Sequence, residues 1–135
     1  MSVAEQQGNG SRARHTQVLW LWTPVVVYMA GIFFASSVSD PPVPSGVSDV
    51  SLHEAAYFGL TLLLIRALAR ERWSGVTVVT LAAAWAIAVV YGVTDEWHQS
   101  FVPNRHAESR DIMSDAIGAL AAAVVVGAWS IIRRL

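Results

Sequence analysis

The chain has 135 residues, of which 54% are hydrophobic and 14% charged, and its formal net charge is −1. A small soluble domain buries too little of its surface to hide so much apolar side chain, so the composition argues against a water-soluble globule and for a lipid bilayer as the main partner. All nine basic residues are arginine and form no basic stripe, which argues against nucleic acid, and the lack of cysteine excludes disulfides and thiolate chemistry.

The first apolar segment follows a polar start of the chain. The polar composition of residues 1–16 predicts a disordered tail, and the apolar segments that follow predict a single membrane domain over residues 17–135. Residues 18–38 carry no charge and are long enough, at about 1.5 Å per residue, to cross a hydrocarbon core of about 30 Å. Arginines before this segment and small residues at its end are also typical of a signal peptide, but its length and its tryptophans favour a retained helix.

The second segment, residues 51–69, is the weakest of the four. Its apolar centre is short because His53 and Glu54 lie at one end and Arg66 at the other, so we expect neighbouring helices to shield it. Ser51 followed by Glu54 predicts a capping box at its start. The aspartate and prolines of residues 40–44 predict an extended connection before it.

Two further apolar segments complete the predicted fold. Residues 74–94 carry no charge, and residues 112–132 carry one, Asp115, which we expect to face the bundle interior because a lipid-facing carboxylate is costly. Small residues spaced along the last segment predict close approach of another helix. The sequence therefore predicts an all-α, four-helix transmembrane bundle.

Arginine placement predicts the orientation of this bundle, because cytoplasmic connections carry an excess of positive charge. Most arginines lie in the amino-terminal tail, around the connection after the second segment and at the carboxyl end, whereas the other connections hold only Arg105 and Arg110. Both termini are therefore expected in the cytoplasm of a multi-pass protein of the inner or plasma membrane. An ordered extracytoplasmic loop is expected between the third and fourth helices.

Ionisable side chains gather at the predicted outer ends of three helices. Four-residue spacing puts His53 and Tyr57 on one face, and does the same for Asp111 and Asp115 and, if the third helix continues past Tyr91, for Asp95 and Gln99. These helix ends can converge on one polar site. The candidate ligand-binding residues are His53, Tyr57, Asp95, Glu96, Gln99, Arg105, Arg110, Asp111 and Asp115.

Three motifs resemble the VanZ-like family of small bacterial membrane proteins. They are SDVSLHEAAYFGL at residues 48–60, YGVTDEWHQSFVPNR at residues 91–105 and DIMSDAIGA at residues 111–119. The resemblance extends from about Ser36 to Gly127 and implies a cell-envelope role, with a link to resistance to the glycopeptide teicoplanin, rather than a particular reaction. Two positions depart from the family pattern: Val50 replaces an expected lysine, and Asp115 replaces a commoner asparagine, so the site is more negative here.

A binding function is the first of three hypotheses for the polar cluster. Arg105 and Arg110 could donate forked hydrogen bonds to a polar or anionic envelope ligand, such as a lipid-linked precursor or a phospholipid head group. His53 and Gln99 would then orient the ligand. Self-association into a homo-oligomer stays open at this point.

Two alternatives involve the same side chains. In an enzyme, a hydrolase or transferase on a lipid-linked substrate, Asp95 or Glu96 would act as a general base with His53, or one of them would bind a metal with His53 and His98. No compact metal motif is present, so no metal or cofactor is predicted. In a structural membrane module, Arg105 or Arg110 would instead pair with Asp95, Glu96 or Asp111 and hold the outer loop against the helix ends.

Overall fold

Four α-helices and one short 3-10 helix make up the computed structural model, which describes residues 3–39 and 45–133. The bounds are α1 Val3–Ser36, α2 Asp49–Leu68, the 3-10 helix Trp73–Gly75, α3 Val78–Gln99 and α4 Ser109–Ile132. Within those two ranges no residue is in a strand, so the all-α prediction is confirmed. Three helical segments are long and apolar enough to cross a membrane, and α2 is not among them: Arg14–Ser36, α3 and α4.

The amino-terminal helix starts earlier than the sequence indicates. The backbone of α1 is helical from Val3, within the segment predicted as a disordered tail. Once a helix exists, each added residue gains one hydrogen bond without a new nucleation cost, so a polar segment can extend an apolar helix. The division into tail and membrane domain at residue 17 stays a prediction. The extended connection predicted at residues 40–44 lies outside the described residues.

Two helix starts differ from the sequence predictions by a few residues. The cap of α2 is Ser48, whose side chain accepts a hydrogen bond from the Ser51 backbone N–H at 3.1 Å. The predicted capping box of Ser51 with Glu54 is therefore wrong, because the upstream serine already satisfies this donor. Thr77 caps α3 in the same way through the backbone N–H of Thr80, so this helix begins at Val78, after the start of the apolar segment at residue 74.

The far end of α3 determines where the polar residues lie. The helix continues beyond the predicted end at residue 94 as far as Gln99, so Asp95, Glu96 and Gln99 belong to its last turns. The fourth helix begins at Ser109 rather than 112, and its first turn includes Asp111. Both extensions place ionisable and polar side chains on helices rather than in the loop between them.

The tightest helix pair in the fold joins α2 and α4. At Gly118 a Cβ atom would overlap the backbone carbonyl of Glu54, so these backbones approach as closely as glycine allows. Ala119 and Ala122 continue this surface and are fully buried. The predicted small-residue face of the fourth helix is therefore confirmed.

The second helix lies at the centre of the bundle. Its interior faces include Leu60, Thr61 and Leu64, each at most 1% exposed. Both α4 and α3 pack against it on one side, while α1 packs mainly against α2 and only weakly against α3. This arrangement agrees with the expectation that neighbours shield α2, and it leaves a cavity lined by α1, α2 and α3 towards the polar end of the bundle.

Candidate functional site

A partly buried histidine–carboxylate pair joins α2 to α4. The Nδ1 atom of His53 lies 2.9 Å from Oδ1 of Asp115, which is 1% exposed. On the other edge of the ring, Nε2 lies 4.0 Å from Oδ2 of Asp111 in the first turn of α4. The predicted inward position of Asp115 is confirmed, and His53 lies between two aspartates of the same helix.

A second polar cluster joins α3 to α1. The Ser36 hydroxyl, at the end of α1, donates to Oδ1 of Asp95 at 2.7 Å. The side-chain amide of Gln99 donates to Asp95 at 3.3 Å and to Glu96 at 3.2 Å. All four of these residues are buried, so the hydrogen bonds are exchanged within the protein rather than with bulk solvent.

The loop between α3 and α4 is held by Glu96, not by arginine. The backbone N–H of Glu108 donates to Oε2 of Glu96 at 3.0 Å, which ties the end of the loop to α3. Neither Arg105 nor Arg110 has an ion pair within the ranges the structure describes. The predicted arginine clasp is therefore wrong, because the buried Glu96 carboxylate takes a backbone donor that is already adjacent to it.

A cavity of about 490 Å³ lies beside these clusters, between α1, α2 and α3. One part of its wall is polar and another is apolar, with Ile32, Ala35 and Leu52 among the apolar residues. Its volume is within the range of small-molecule sites, about 300 to 1,000 Å³. The wall residues with polar side-chain atoms are Tyr28, Ser36, Asp49, His53, Tyr57, Asp95, Gln99 and Arg105.

Two hydrogen-bond donors in this wall are buried without a partner among the described residues. They are the hydroxyl of Tyr57, a residue 1% exposed, and Nε of Arg105. A buried donor left unpaired costs about 1 to 3 kcal/mol, more when it is charged. By contrast, the nearby Tyr91 hydroxyl donates to the backbone carbonyl of Met29 at 2.6 Å. The wall is therefore able to bind an acceptor oxygen supplied by a ligand.

Asp115 is buried close to the Tyr57 ring, next to Gly92. Its Oδ2 atom has no hydrogen-bond partner in the described part of the chain. A Cβ atom on Gly92 would lie 2.7 Å from this oxygen and 3.3 Å from Cε1 of Tyr57, so these three residues are in close contact. The absence of a side chain at Gly92 leaves room for both polar groups.

The structure brings most of the predicted site residues together. His53, Tyr57, Asp95, Gln99 and Arg105 line the cavity. Three further residues do not line the cavity but contact those that do: Glu96 bonds Gln99, and Asp111 and Asp115 flank His53. Arg110 is exposed and is not among the residues that line the cavity.

The metal set considered from the sequence does not form. The ring of His98 packs against Phe33 of α1, with centroids 4.1 Å apart, and does not join His53. In the described residues the ligand atoms that do come together belong to Asp49, His53 and Asp111, all within 4.8 Å of one another. This group combines the first turns of α2 and α4.

Sequence reasoning missed Ser36 and Asp49 as residues of the cavity wall. Asp49 occurs in a family motif, yet its position at a helix start is equally typical of a capping carboxylate. Ser36 has no distinctive neighbours in the sequence, and its partner Asp95 is 59 positions away. Only the packing of α1 against the bundle reveals its role.

These observations define a class of protein: a helical membrane protein with a polar, partly open cavity at one end of its bundle. The VanZ/LLP1 family model matches residues 32–131, and the chain belongs to this family. The matched region contains the polar residues of the cavity wall except Tyr28. Comparisons with curated proteins and with solved structures gave no match.

Proposed function

We propose that this VanZ/LLP1 protein binds the head group of an amphiphilic envelope molecule, either a lipid-linked precursor or a phospholipid, in the cavity between α1, α2 and α3. The observation that carries the proposal is the pair of buried, unpartnered donors in the cavity wall, Tyr57 Oη and Arg105 Nε. The oxygens of a phosphate or a carboxylate accept hydrogen bonds from both kinds of donor, a hydroxyl and a guanidinium N–H.

The charges of the wall favour this assignment of roles. Asp95 already accepts hydrogen bonds from Ser36 and Gln99, so its carboxylate is occupied by protein donors. Arg105 has no ion-pair partner among the described residues, so its guanidinium is the group available to an anion. The acceptor oxygens of the ligand are therefore proposed to bind at Arg105 rather than beside Asp95.

The apolar part of the wall suits the chain of a lipid. Ile32 and Ala35 of α1 and Leu52 of α2 border the polar end, and the cavity is only partly enclosed. A head group held at Arg105 would leave its hydrocarbon chain against these side chains and in contact with the bilayer. A link to teicoplanin resistance rests on the family resemblance, and a lipid-linked precursor is the ligand through which such a link would act.

We further propose that α2 is a fourth crossing and that both termini are cytoplasmic. The 20 residues of α2 would span about 30 Å, and packing against its neighbours rather than lipid contact compensates for its lower hydropathy. The arginine distribution then places the cavity at the extracytoplasmic end.

Single-cysteine labelling tests this topology, because the native chain has no cysteine. The exposed positions Ser45, Ser74 and His106 each report on one connection. A membrane-impermeant maleimide added to intact cells is expected to label Ser45→Cys and His106→Cys, and to label Ser74→Cys only after permeabilisation. Labelling of Ser45→Cys and Ser74→Cys from the same side would show that α2 does not cross, and labelling of His106→Cys only after permeabilisation would reverse the orientation.

Lipid binding by the purified full chain tests the proposed ligand class. A polyprenyl phosphate and phosphatidylglycerol, titrated in detergent and followed by native mass spectrometry, separate the two lipid sources. Arg105→Ala is expected to weaken binding of the preferred lipid about 10- to 100-fold, since a hydrogen bond to a charged group contributes about 1.5 to 3 kcal/mol. Tyr57→Phe, which removes only the hydroxyl, should weaken it in the same direction by a smaller factor.

The matched control is Arg110→Ala, which removes the same charge from an exposed position outside the cavity. Its affinity for the lipid should equal that of the unmodified chain. Equal losses in the two arginine variants would indicate a general effect of positive charge rather than a site, and failure of both lipids to bind would contradict the proposed function.

A further inference from the structure

The first turns of α2 and α4 bring together a set of groups that the proposed lipid site does not use fully. One carboxylate oxygen each from Asp49 and Asp111 and one ring nitrogen of His53 lie within 4.8 Å of one another. The Nε2 atom of His53 is 4.0 Å from Asp111, too far for a hydrogen bond. Two atoms that bond one Zn²⁺ at about 2.0 to 2.2 Å can be up to about 4.4 Å apart. The 4.0 Å between His53 and Asp111 is within this limit, and the exposed Asp49 carboxylate would have to move slightly closer to share the ion.

The other edge of the histidine ring provides an independent observation. The Nδ1 atom lies 2.9 Å from Oδ1 of Asp115, a carboxylate that is 1% exposed. A carboxylate that accepts the Nδ1 proton holds the neutral imidazole in the tautomer whose Nε2 lone pair faces outward. Histidines that bind metals are commonly oriented by such a partner. Here Nε2 lies 4.0 Å from Asp111, so in this tautomer its lone pair and the carboxylate would both attract a cation placed between them.

The types of ligand indicate the class of metal. Imidazole suits Zn²⁺ and related transition metals, whereas carboxylates also suit Mn²⁺ and harder cations. One imidazole with two carboxylates therefore favours a divalent transition-metal ion over Mg²⁺ or Ca²⁺. Three protein ligands leave at least one coordination position open. Asp49 and His53 also line the cavity, so the open position would face it.

We infer that Asp49, His53 and Asp111 bind a divalent transition-metal ion, of the Zn²⁺ or Mn²⁺ type, at the edge of the cavity. Asp115 is a positioning residue that orients His53 from the buried side. This inference goes beyond the proposed lipid binding, which needs only the donors of Tyr57 and Arg105, and it adds a second group that can bind an oxygen of the ligand.

Metal binding alone provides the test, with no lipid present. The full chain is purified in detergent without a polyhistidine tag, stripped with a chelator and dialysed against Zn²⁺ or Mn²⁺. Bound metal is measured by mass spectrometry of the elements, and affinity by titration calorimetry. We expect one ion per chain, at least tenfold weaker binding in Asp49→Asn, and loss of stoichiometric binding in His53→Gln.

Controls separate a metal site from a structural contact. Asp49 is exposed, so Asp49→Asn should elute from a sizing column as the unmodified chain does and keep the result interpretable if His53→Gln fails to fold. His106→Ala removes an exposed loop histidine and should bind the metal unchanged. Asp115→Asn should weaken binding about 10- to 100-fold while leaving one ion per chain at saturation.

Two outcomes would overturn the metal site. One is the absence of stoichiometric Zn²⁺ and Mn²⁺ in the unmodified, folded chain. The other is equal affinity in Asp49→Asn and the unmodified chain. Either result would leave His53 as an imidazolium shared between Asp111 and Asp115. Retained metal binding in Arg105→Ala with loss of lipid would show that the lipid and metal sites act independently.

Discussion

Replacing Gly118 with alanine is expected to separate α2 from α4 and to lower the free energy of unfolding by about 3 kcal/mol, the upper end of the cost of overpacking a core. The added Cβ would overlap the backbone carbonyl of Glu54. A side chain in that position could rotate away, but a carbonyl in a helix can move only with its helix. Because α2 carries His53 and Tyr57, the polar site should be disturbed as well. Unfolding by denaturant in detergent, followed by far-ultraviolet circular dichroism, measures the change.

Gly31→Ala is the matched control for this prediction. It makes the same change in α1, where a Cβ would meet no atom within 4 Å. Alanine favours the helix over glycine by about 0.5 to 1 kcal/mol, so this variant should be as stable as the unmodified chain or slightly more stable. If Gly118→Ala unfolded at the same denaturant concentration as Gly31→Ala, the close approach of α2 and α4 would be refuted.

His53→Ala is expected to destabilise the chain by about 3 to 5 kcal/mol, the usual cost of leaving a buried charge without its partner. The variant leaves Asp115, which is 1% exposed, with neither of its oxygens bonded, because Oδ2 already lacks a partner among the described residues. It also leaves Asp111 and Asp115 on one face of α4 without a shared neighbour. The same unfolding measurement detects this effect.

A double-mutant cycle isolates the contribution of this pair. The variant that combines His53→Ala with Asp115→Ala removes the unpaired carboxylate together with its partner, so its loss of stability should be clearly smaller than the sum of the two single losses. His106→Ala, which changes an exposed histidine, should stay within about 0.5 kcal/mol of the unmodified chain. Simple additivity of the two single variants would mean that the contact between them does not stabilise the fold.

Local patterns predicted a substantial part of this protein. Uninterrupted apolar length predicted the helices at residues 18–38 and 112–132, and helical spacing predicted that His53 shares a face with Tyr57 and Asp111 with Asp115. These inferences hold because helix geometry depends on residues three or four apart. The exact start of α2 was less accessible, since Ser48 and Ser51 are both good capping residues and only the backbone conformation decides between them.

The sequence by itself therefore determined the helical class, the family motifs and the gathering of polar side chains at one end of the bundle. Only the tertiary structure decided their partners: Ser36 bonds Asp95, Glu96 holds the loop between α3 and α4, and Arg105 lines a cavity without an ion pair to any described residue. Such choices depend on how α1 and the loop pack against the other helices. Contacts between residues far apart in the chain follow from that packing. Helical periodicity relates only residues three or four positions apart, so it cannot predict them.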